Sequence, residues 1–433
     1  MQEIRALPWN GFNAVSTFSG GGGSSLGYRM AGYRVLWASE FIPAAQETYR
    51  ANCAPYTTLD TRDIREVQGR EILEAIGLPV GEIDLFDGSP PCASFSTAGK
   101  REKGWGAVKA YSDTKQRTDD LFYEYARLIE ETQPRTFVAE NVSGLIKGTA
   151  KGYFKLILTR LKRGYRVEAR LLNASWLGVP QSRQRLIFVG VREDLSLAPA
   201  FPKPLPYRYT VRDALPWVIA QGNNGGFGAG GMRAADVPSP ATGNGNFPAS
   251  KVVTVPGEAR LIHDTSGERG QGDVTDKPGP AITVGVGAVN SHHFQVHGPT
   301  DEVQGITRDP ETGENVHIGR YAIGKEWVRL APGAKSAKYL NLIRPDADRP
   351  YPTVTQKGGD VTAASATHWA EARKLTLYEL RRIGGFPDDY VLTGTYAQRW
   401  ERIGRAVPPV MMSHIAAAVR DRILIPLRDA GKM

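Results

Sequence analysis

The sequence predicts an α/β fold, a mainly parallel sheet covered by helices, joined to a smaller lobe rich in loops and β-structure. Three observations carry this. Apolar runs alternate with amphipathic helical patterns from residue 13 to about residue 200. A glycine-rich stretch follows the first apolar run directly. From about residue 203 to residue 370 Gly, Pro, Thr and Asn dominate, and helical periodicity is nearly absent. Strands alternating with helices favour parallel pairing, because the crossover helices cover both faces of the sheet.

Taken in order, "NAVSTFS", "YRVLWASE", "EIDLFDG", "RTFVAEN" and "RLIFVGV" read as buried strands. Between them "DDLFYEYARLIEETQ" and "GYFKLILTRLKRG" read as helices. The middle lobe repeats an Asp, two spaced prolines and a Thr in "DVPSPATG", "DKPGPAITVG" and "DRPYPTVTQKGG". These read as turns entering short strands, since Pro fixes φ and the following residues favour extension. After residue 371, "EARKLTLYELRRIGGF" and "PPVMMSHIAAAVRDRIL" restore helical character. The expected division is therefore 1–202 for a cofactor-binding domain, 203–370 for a second lobe, and 371–433 for a helical segment that completes the first.

Of the 433 residues, 41% are hydrophobic and 23% charged, the composition of a globular chain rather than a disordered one. No apolar run is long enough for a bilayer, and the N-terminus lacks a secretory pattern, so a cytoplasmic protein is expected. The net charge of +9 favours an anionic partner. Two cysteines, Cys53 and Cys92, rule out a disulfide framework or a zinc cluster, and no metal is expected.

Ligands of such folds sit at the carboxyl ends of the strands. There the sequence places "FSGGGGSSLG", then Glu40 about 20 residues on, a spacing that suits a ribose and hence an adenosine-type cofactor. Asp63 and Ile64 in "TRDIREV" suit an adenine amino group and ring face. An ordinary solvated aspartate is the alternative for Asp63. Cys92 follows the fourth strand in "DGSPPCASFS", a Pro-bounded turn with small polar neighbours, which suits a nucleophile better than a packing residue. Glu140 ends the fifth strand in "AENVSG", where burial can prepare a carboxyl group to donate a proton. Arg183 and Arg185 in "GVPQSRQRLIFVG" share one face of an extended segment and can grip a planar oxygen or a phosphate.

These blocks, with "GRAVPP" near the end, resemble in content and order the DNA cytosine-5 methyltransferase family. The resemblance implies a Rossmann-like domain that uses S-adenosylmethionine, and a target-recognition domain at 203–370. It implies transfer of a methyl group to carbon 5 of a cytosine flipped out of double-stranded DNA. Cys92 would add to carbon 6, Glu140 would protonate ring nitrogen 3, Arg185 would hold the base oxygen and Arg183 would support the site. The cofactor pocket would take Phe18, Gly20, Gly22, Gly23, Glu40, Phe41, Asp63, Ile64, Ser89, Pro91, Leu121, Phe386, Arg405, Ala406 and Val407. Residues 96–117 would form a basic loop over the DNA, with Trp105 or Tyr111 filling the gap in the base stack. Family precedent is a monomer, in some cases with a cognate restriction endonuclease.

The chain departs from the family at Arg405, where Asn is usual. A cation beside a sulfonium is unfavourable unless an anion is present. Arg405 therefore either turns outward or pairs with a pocket acid or the methionine carboxylate, leaving methyl transfer intact, or receives the carboxylate of carboxy-S-adenosylmethionine, making the product carboxymethylated. A DNA-binding protein without catalysis and an NAD-dependent oxidoreductase are the rival classes. The first leaves Cys92, Glu140 and both arginines without purpose, and the second does not use "PPC", "ENV" and "QSRQR".

Overall fold

In the computed structural model the described residues are 1–91, 109–111, 114–116, 120–146, 150–215, 251–255, 259–263 and 306–433. Seven strands form the main sheet: β1 (Asn13–Thr17), β2 (Arg34–Ser39), β3 (Thr58–Asp60), β4 (Leu85–Gly88), β5 (Thr136–Val142), β6 (Tyr165–Asn173) and β7 (Gln184–Arg192). Their spatial order is β3-β2-β1-β4-β5-β7-β6. All neighbouring pairs are parallel except those made by β7, which runs antiparallel to both β5 and β6. The sheet is thus mainly parallel, with a reversed strand where the apolar run "RLIFVGV" predicted another parallel member.

Side chains alternate between two cores. Ala14, Leu85, Val138, Ile187 and Val189 face one, and Val15, Phe86, Phe137, Ala139 and Phe188 face the other. Burial on both faces explains why these strands read as continuous apolar runs. Strands β3 and β6 lie at the two edges and are half-exposed, so neither carries such a run. That is the reason the sequence reading passes over them.

Helix α1 (Gly23–Met30) follows the glycine loop, and α2 (Leu121–Thr132) and α3 (Ala150–Leu161) occupy the stretches whose periodicity predicts them. The C-terminal part supplies α4 (Leu377–Gly384), α5 (Tyr396–Arg405) and α6 (Pro409–Val419). Thr376 and Thr395 start α4 and α5 by accepting hydrogen bonds from the backbone amides of Glu379 and Gln398, satisfying donors that a helix start leaves open. Helix α6 lies against α1 so closely that a Cβ on Gly27 would sit 2.5 Å from Met412 Cβ and 2.6 Å from the Pro409 carbonyl oxygen. The last helices therefore share a core with the first strand and helix.

Between residues 203 and 370 the described backbone is mostly irregular. It holds an antiparallel pair, Lys251–Val255 with Ala259–His263, and a short helix, Ala322–Trp327, whose Ile323 and Trp327 pack with Ile318 and Leu342. Among the described residues, no helix is long and apolar enough to cross a membrane.

Candidate cofactor and base site

The carboxyl ends of β1 and β2 converge on the glycine loop. Phe18 holds φ at 53° although it has a side chain, and Gly20 and Gly22 follow at 57° and 94°. A non-glycine residue in the left-handed region is a strained position of the kind that gathers at ligand sites. A Cβ on Gly20 would meet no atom within 4 Å, so the loop leaves open space there. Gly23 is the opposite case. A Cβ there would lie 2.6 Å from the Val407 carbonyl oxygen, 3.0 Å from Ala406 Cβ and 3.4 Å from the Phe386 ring. Three predicted residues from the far end of the chain are thereby brought onto the first loop.

Glu40 ends the β2 segment, almost wholly buried. One carboxylate oxygen accepts the Gly20 amide at 2.7 Å and the other accepts the Ile42 amide at 2.7 Å. Burial raises its proton affinity, opposed by those two amides and by the charges of Arg402 and Arg405. Phe41 beside it exposes 38% of its surface, so its ring is available to a ligand. Asp63 is held by Arg65 at 2.8 Å, and Arg65 also reaches Asp120 at 2.7 Å, just before Leu121 begins α2. Ile64 and Leu121 are buried in the same core. Asp63 is therefore an anchored carboxylate, not a freely solvated one.

At the next strand ends, Cys92 and most of the 96–117 loop, Trp105 included, lie outside the described residues. The approach to Cys92 is described. Asn141 Nδ2 donates to the Pro90 carbonyl at 3.2 Å, tying the end of β5 to the Pro-Pro turn that also contains Pro91. Ser89 Oγ is buried and has no hydrogen-bond partner among the described residues.

One face of the sheet carries a polar row above its apolar layer. Ser16 stands opposite Asp87 and Asp87 opposite Val138; Glu140, two residues on, stands opposite Ile187 in β7. Glu140 is 8% exposed, and its carboxylate pairs with the Arg185 guanidinium. Burial raises its proton affinity, while Arg185 and then Arg183 act against that. Arg183 is 1% exposed and uses its terminal nitrogens internally, donating at 2.9 Å to the Val354 carbonyl and at 2.9 Å to that of Gly404. The two arginines thus divide: Arg185 meets the acid, and Arg183 ties the strand to the segment around residue 404. Arg405 next to it donates to Glu401 at 2.6 Å, a pairing with a neighbouring acid.

Asp87, Ser16 and Tyr28 belong to this polar row and were not singled out from the sequence. The available signal was an aspartate at a position of the "IDLFDG" run that alternation turns toward the core. Tyr390, whose hydroxyl donates to the Gly21 carbonyl under the loop, carried no such signal.

Type II methyltransferase M1.HphI of Haemophilus parahaemolyticus is 28% identical over 407 residues, covering 94% of this chain and 86% of its own. Type II methyltransferase M.MthTI of Methanothermobacter thermautotrophicus is 36% identical over 202 residues, 46% of this chain and 55% of the relative. Among solved structures, a DNA modification methyltransferase encoded within an E. coli prophage shares the fold at TM-score 0.59 and 21% identity, over 95% of this chain and 99% of that one. The profile of the C-5 cytosine-specific DNA methylase family matches residues 12–224 and 289–421, most of the sequence, and the chain belongs to that family.

Proposed function

We propose that this chain transfers a methyl group from S-adenosylmethionine to carbon 5 of a cytosine flipped out of duplex DNA, through a covalent adduct of Cys92 at carbon 6. The observation that carries this reading is the Glu140–Arg185 pair at the end of β5, next to the Pro90–Pro91 turn that leads into Cys92. A cytosine edge offers a ring nitrogen that takes a proton and a carbonyl oxygen that takes a cation. An acid with raised proton affinity beside a guanidinium is complementary to that edge.

The cytosine ring is a weak nucleophile at carbon 5. Addition of the Cys92 thiolate to carbon 6 pushes an electron pair toward carbon 5 while Glu140 supplies a proton to nitrogen 3. Arg185 holds the carbonyl oxygen, and Arg183 fixes the strand that presents Arg185. The bound cofactor supplies an electrophilic methyl group to carbon 5. A base, for which a water suffices, then removes the carbon 5 proton, the thiolate leaves carbon 6, and nitrogen 3 returns its proton to Glu140.

The pocket suits the cofactor on this chain's own terms. Gly20 opens space beneath a ligand, Glu40 presents a fixed carboxylate, Phe41 an exposed ring, and Ser89 a buried hydroxyl with no partner among the described residues. Phe18, Gly22, Gly23, Asp63, Ile64, Pro91, Leu121, Phe386, Ala406 and Val407 complete it. Arg405 is paired with Glu401, which supplies the anion that a cation near a sulfonium requires and favours plain methyl transfer over use of carboxy-S-adenosylmethionine. Residues 203–370 are assigned to target recognition, and the Type II names of the relatives support a modification partner of a restriction endonuclease.

Mass spectrometry of nucleosides from duplex DNA incubated with the protein tests the reading. With S-adenosylmethionine, 5-methylcytosine should form and should vanish in Cys92→Ser. A product only with the carboxylated cofactor, bearing a carboxymethyl group, would overturn the methyl assignment. No product with either would leave the DNA-binding rival.

A further inference from the structure

Asp87 lies fully buried at the end of β4, five residues before Cys92. Its carboxylate accepts two hydroxyls: Tyr28 donates to one oxygen at 2.9 Å and Ser16 to the other at 2.9 Å. Ser19 in turn donates to Ser16 Oγ at 3.1 Å, so the chain of hydroxyls reaches the glycine loop. No cation pairs with Asp87 among the described residues. A buried carboxylate with only neutral donors is an expensive group to retain for packing alone.

What faces it is the proposed acid. Asp87 is opposite Val138 in register, and Glu140 is two residues further along the same strand, so alternation places both carboxyls on one face of the sheet. Strand spacing and rise put their Cα atoms about 8 Å apart. The groups around the two are few. Asp87 meets Ser16 from β1, Tyr28 from α1, and the fields of Tyr49 and of Tyr125 in α2. Glu140 meets Arg185 from β7 and Arg183 just before it.

We propose that Asp87 is the second carboxyl of the base site, a positioning residue that shares one proton with Glu140 across the sheet face. Burial is the largest influence on Asp87 and raises it to about 7; the charge of Glu140 adds to the rise, and the hydrogen bonds from Ser16 and Tyr28 oppose it. By reciprocity a charged Asp87 favours a proton on Glu140 to the same extent. The pair thus helps keep a proton inside a site whose acid must deliver one to a ring nitrogen, with burial favouring that proton on Glu140 and Arg185 acting against it. This inference rests on the proposed role of Glu140, but its test needs no turnover.

The test is a pH titration of the free protein with 13C-labelled Asp and Glu carboxyls, assigned by Asp87→Asn and Glu140→Gln. In the unaltered protein the Asp87 and Glu140 resonances should both report one common step, above the ordinary carboxylate range. Asp87→Asn should lower the Glu140 midpoint by about 1.5 pH units, the value for two charges taken at the Cα separation of about 8 Å with an effective dielectric constant of about 20. Glu140→Gln should lower the Asp87 midpoint equally. An unchanged Glu140 midpoint in folded Asp87→Asn overturns the inference whether or not the protein methylates DNA. If Asp87→Asn does not fold, Ser16→Ala decides: loss of that donor should move the step upward in both resonances, and movement in Asp87 alone overturns the proposal. Absence of 5-methylcytosine with the shared step intact would instead count against the function proposed above.

Discussion

Replacing Arg183 with Lys tests whether this side chain is a strut between distant segments. Its guanidinium donates to Val354 and Gly404, 171 and 221 residues away in sequence, at 2.9 Å each, from a position 1% exposed. A planar fork can span two carbonyls, whereas an ammonium on a flexible stem satisfies them poorly together. The substitution keeps the charge but loses one charge-assisted hydrogen bond, worth about 1.5–3 kcal/mol, and leaves a buried acceptor unpaired, costing about 1–3 kcal/mol. Partial rearrangement and the overlap of the two costs give a net loss of about 3 kcal/mol. Urea unfolding of both proteins measures it. Because Gly404 leads into Ala406 and Val407, which touch the Gly23 position, affinity for S-adenosylmethionine should also fall, by calorimetric titration, several-fold. A Lys variant within about 0.5 kcal/mol of the parent and with equal cofactor affinity would refute the strut.

Other outcomes follow from the same contacts. Glu40→Gln leaves either the Gly20 or the Ile42 amide without its acceptor, so binding of S-adenosylmethionine should weaken about tenfold or more, measured by calorimetry. Gly27→Val forces α1 away from Met412 and Pro409 and should destabilise by about 1–3 kcal/mol or more, while Gly152→Ala, a helical site with nothing within 4 Å, should stabilise by about 0.5–1 kcal/mol. Denaturant midpoints of the two variants should move in opposite directions. Burial lifts Asp87 from 3.8 to about 7, so the folded state binds a proton there more tightly than the unfolded chain. Its contribution to stability is therefore complete below about pH 4 and is lost as pH rises through 7. Asp87→Asn should gain on the parent by up to about 4 kcal/mol between pH 4 and pH 8 in unfolding experiments. A constant difference across that range would contradict the burial cost assigned to Asp87.

Much of the site was legible because its chemistry restricts residue type locally. The glycine loop needs a backbone that can adopt positive φ, and Gly20 and Gly22 do so. Glu40 lies where a strand ending beside that loop must place an acid, and Gly20 binds it directly. The fully buried strands were legible as apolar runs, but such runs do not carry direction. The reversal of β7 follows from length only once β6 is located: ten residues separate Asn173 from Gln184, too few for the helical crossover of a parallel pair. Edge strands β3 and β6 escaped because exposure removes the apolar signature. Long-range partners escaped for a different reason. Nothing near Arg183 foretells that its nitrogens bind carbonyls of Val354 and Gly404, and nothing near Asp63 distinguishes an aspartate clamped by Arg65 from a solvated one.

The measurement that bears most directly on the proposed mechanism is covalent capture on duplex DNA containing 5-fluorocytosine in the target position. Fluorine on carbon 5 cannot leave as a proton does, so an adduct formed at carbon 6 persists after methyl transfer. Incubation with S-adenosylmethionine followed by digestion and mass spectrometry should find the DNA attached to Cys92, with no complex in Cys92→Ser. A protein that methylates ordinary cytosine yet forms no adduct, or forms it at another residue, would contradict the account of Cys92 as the nucleophile.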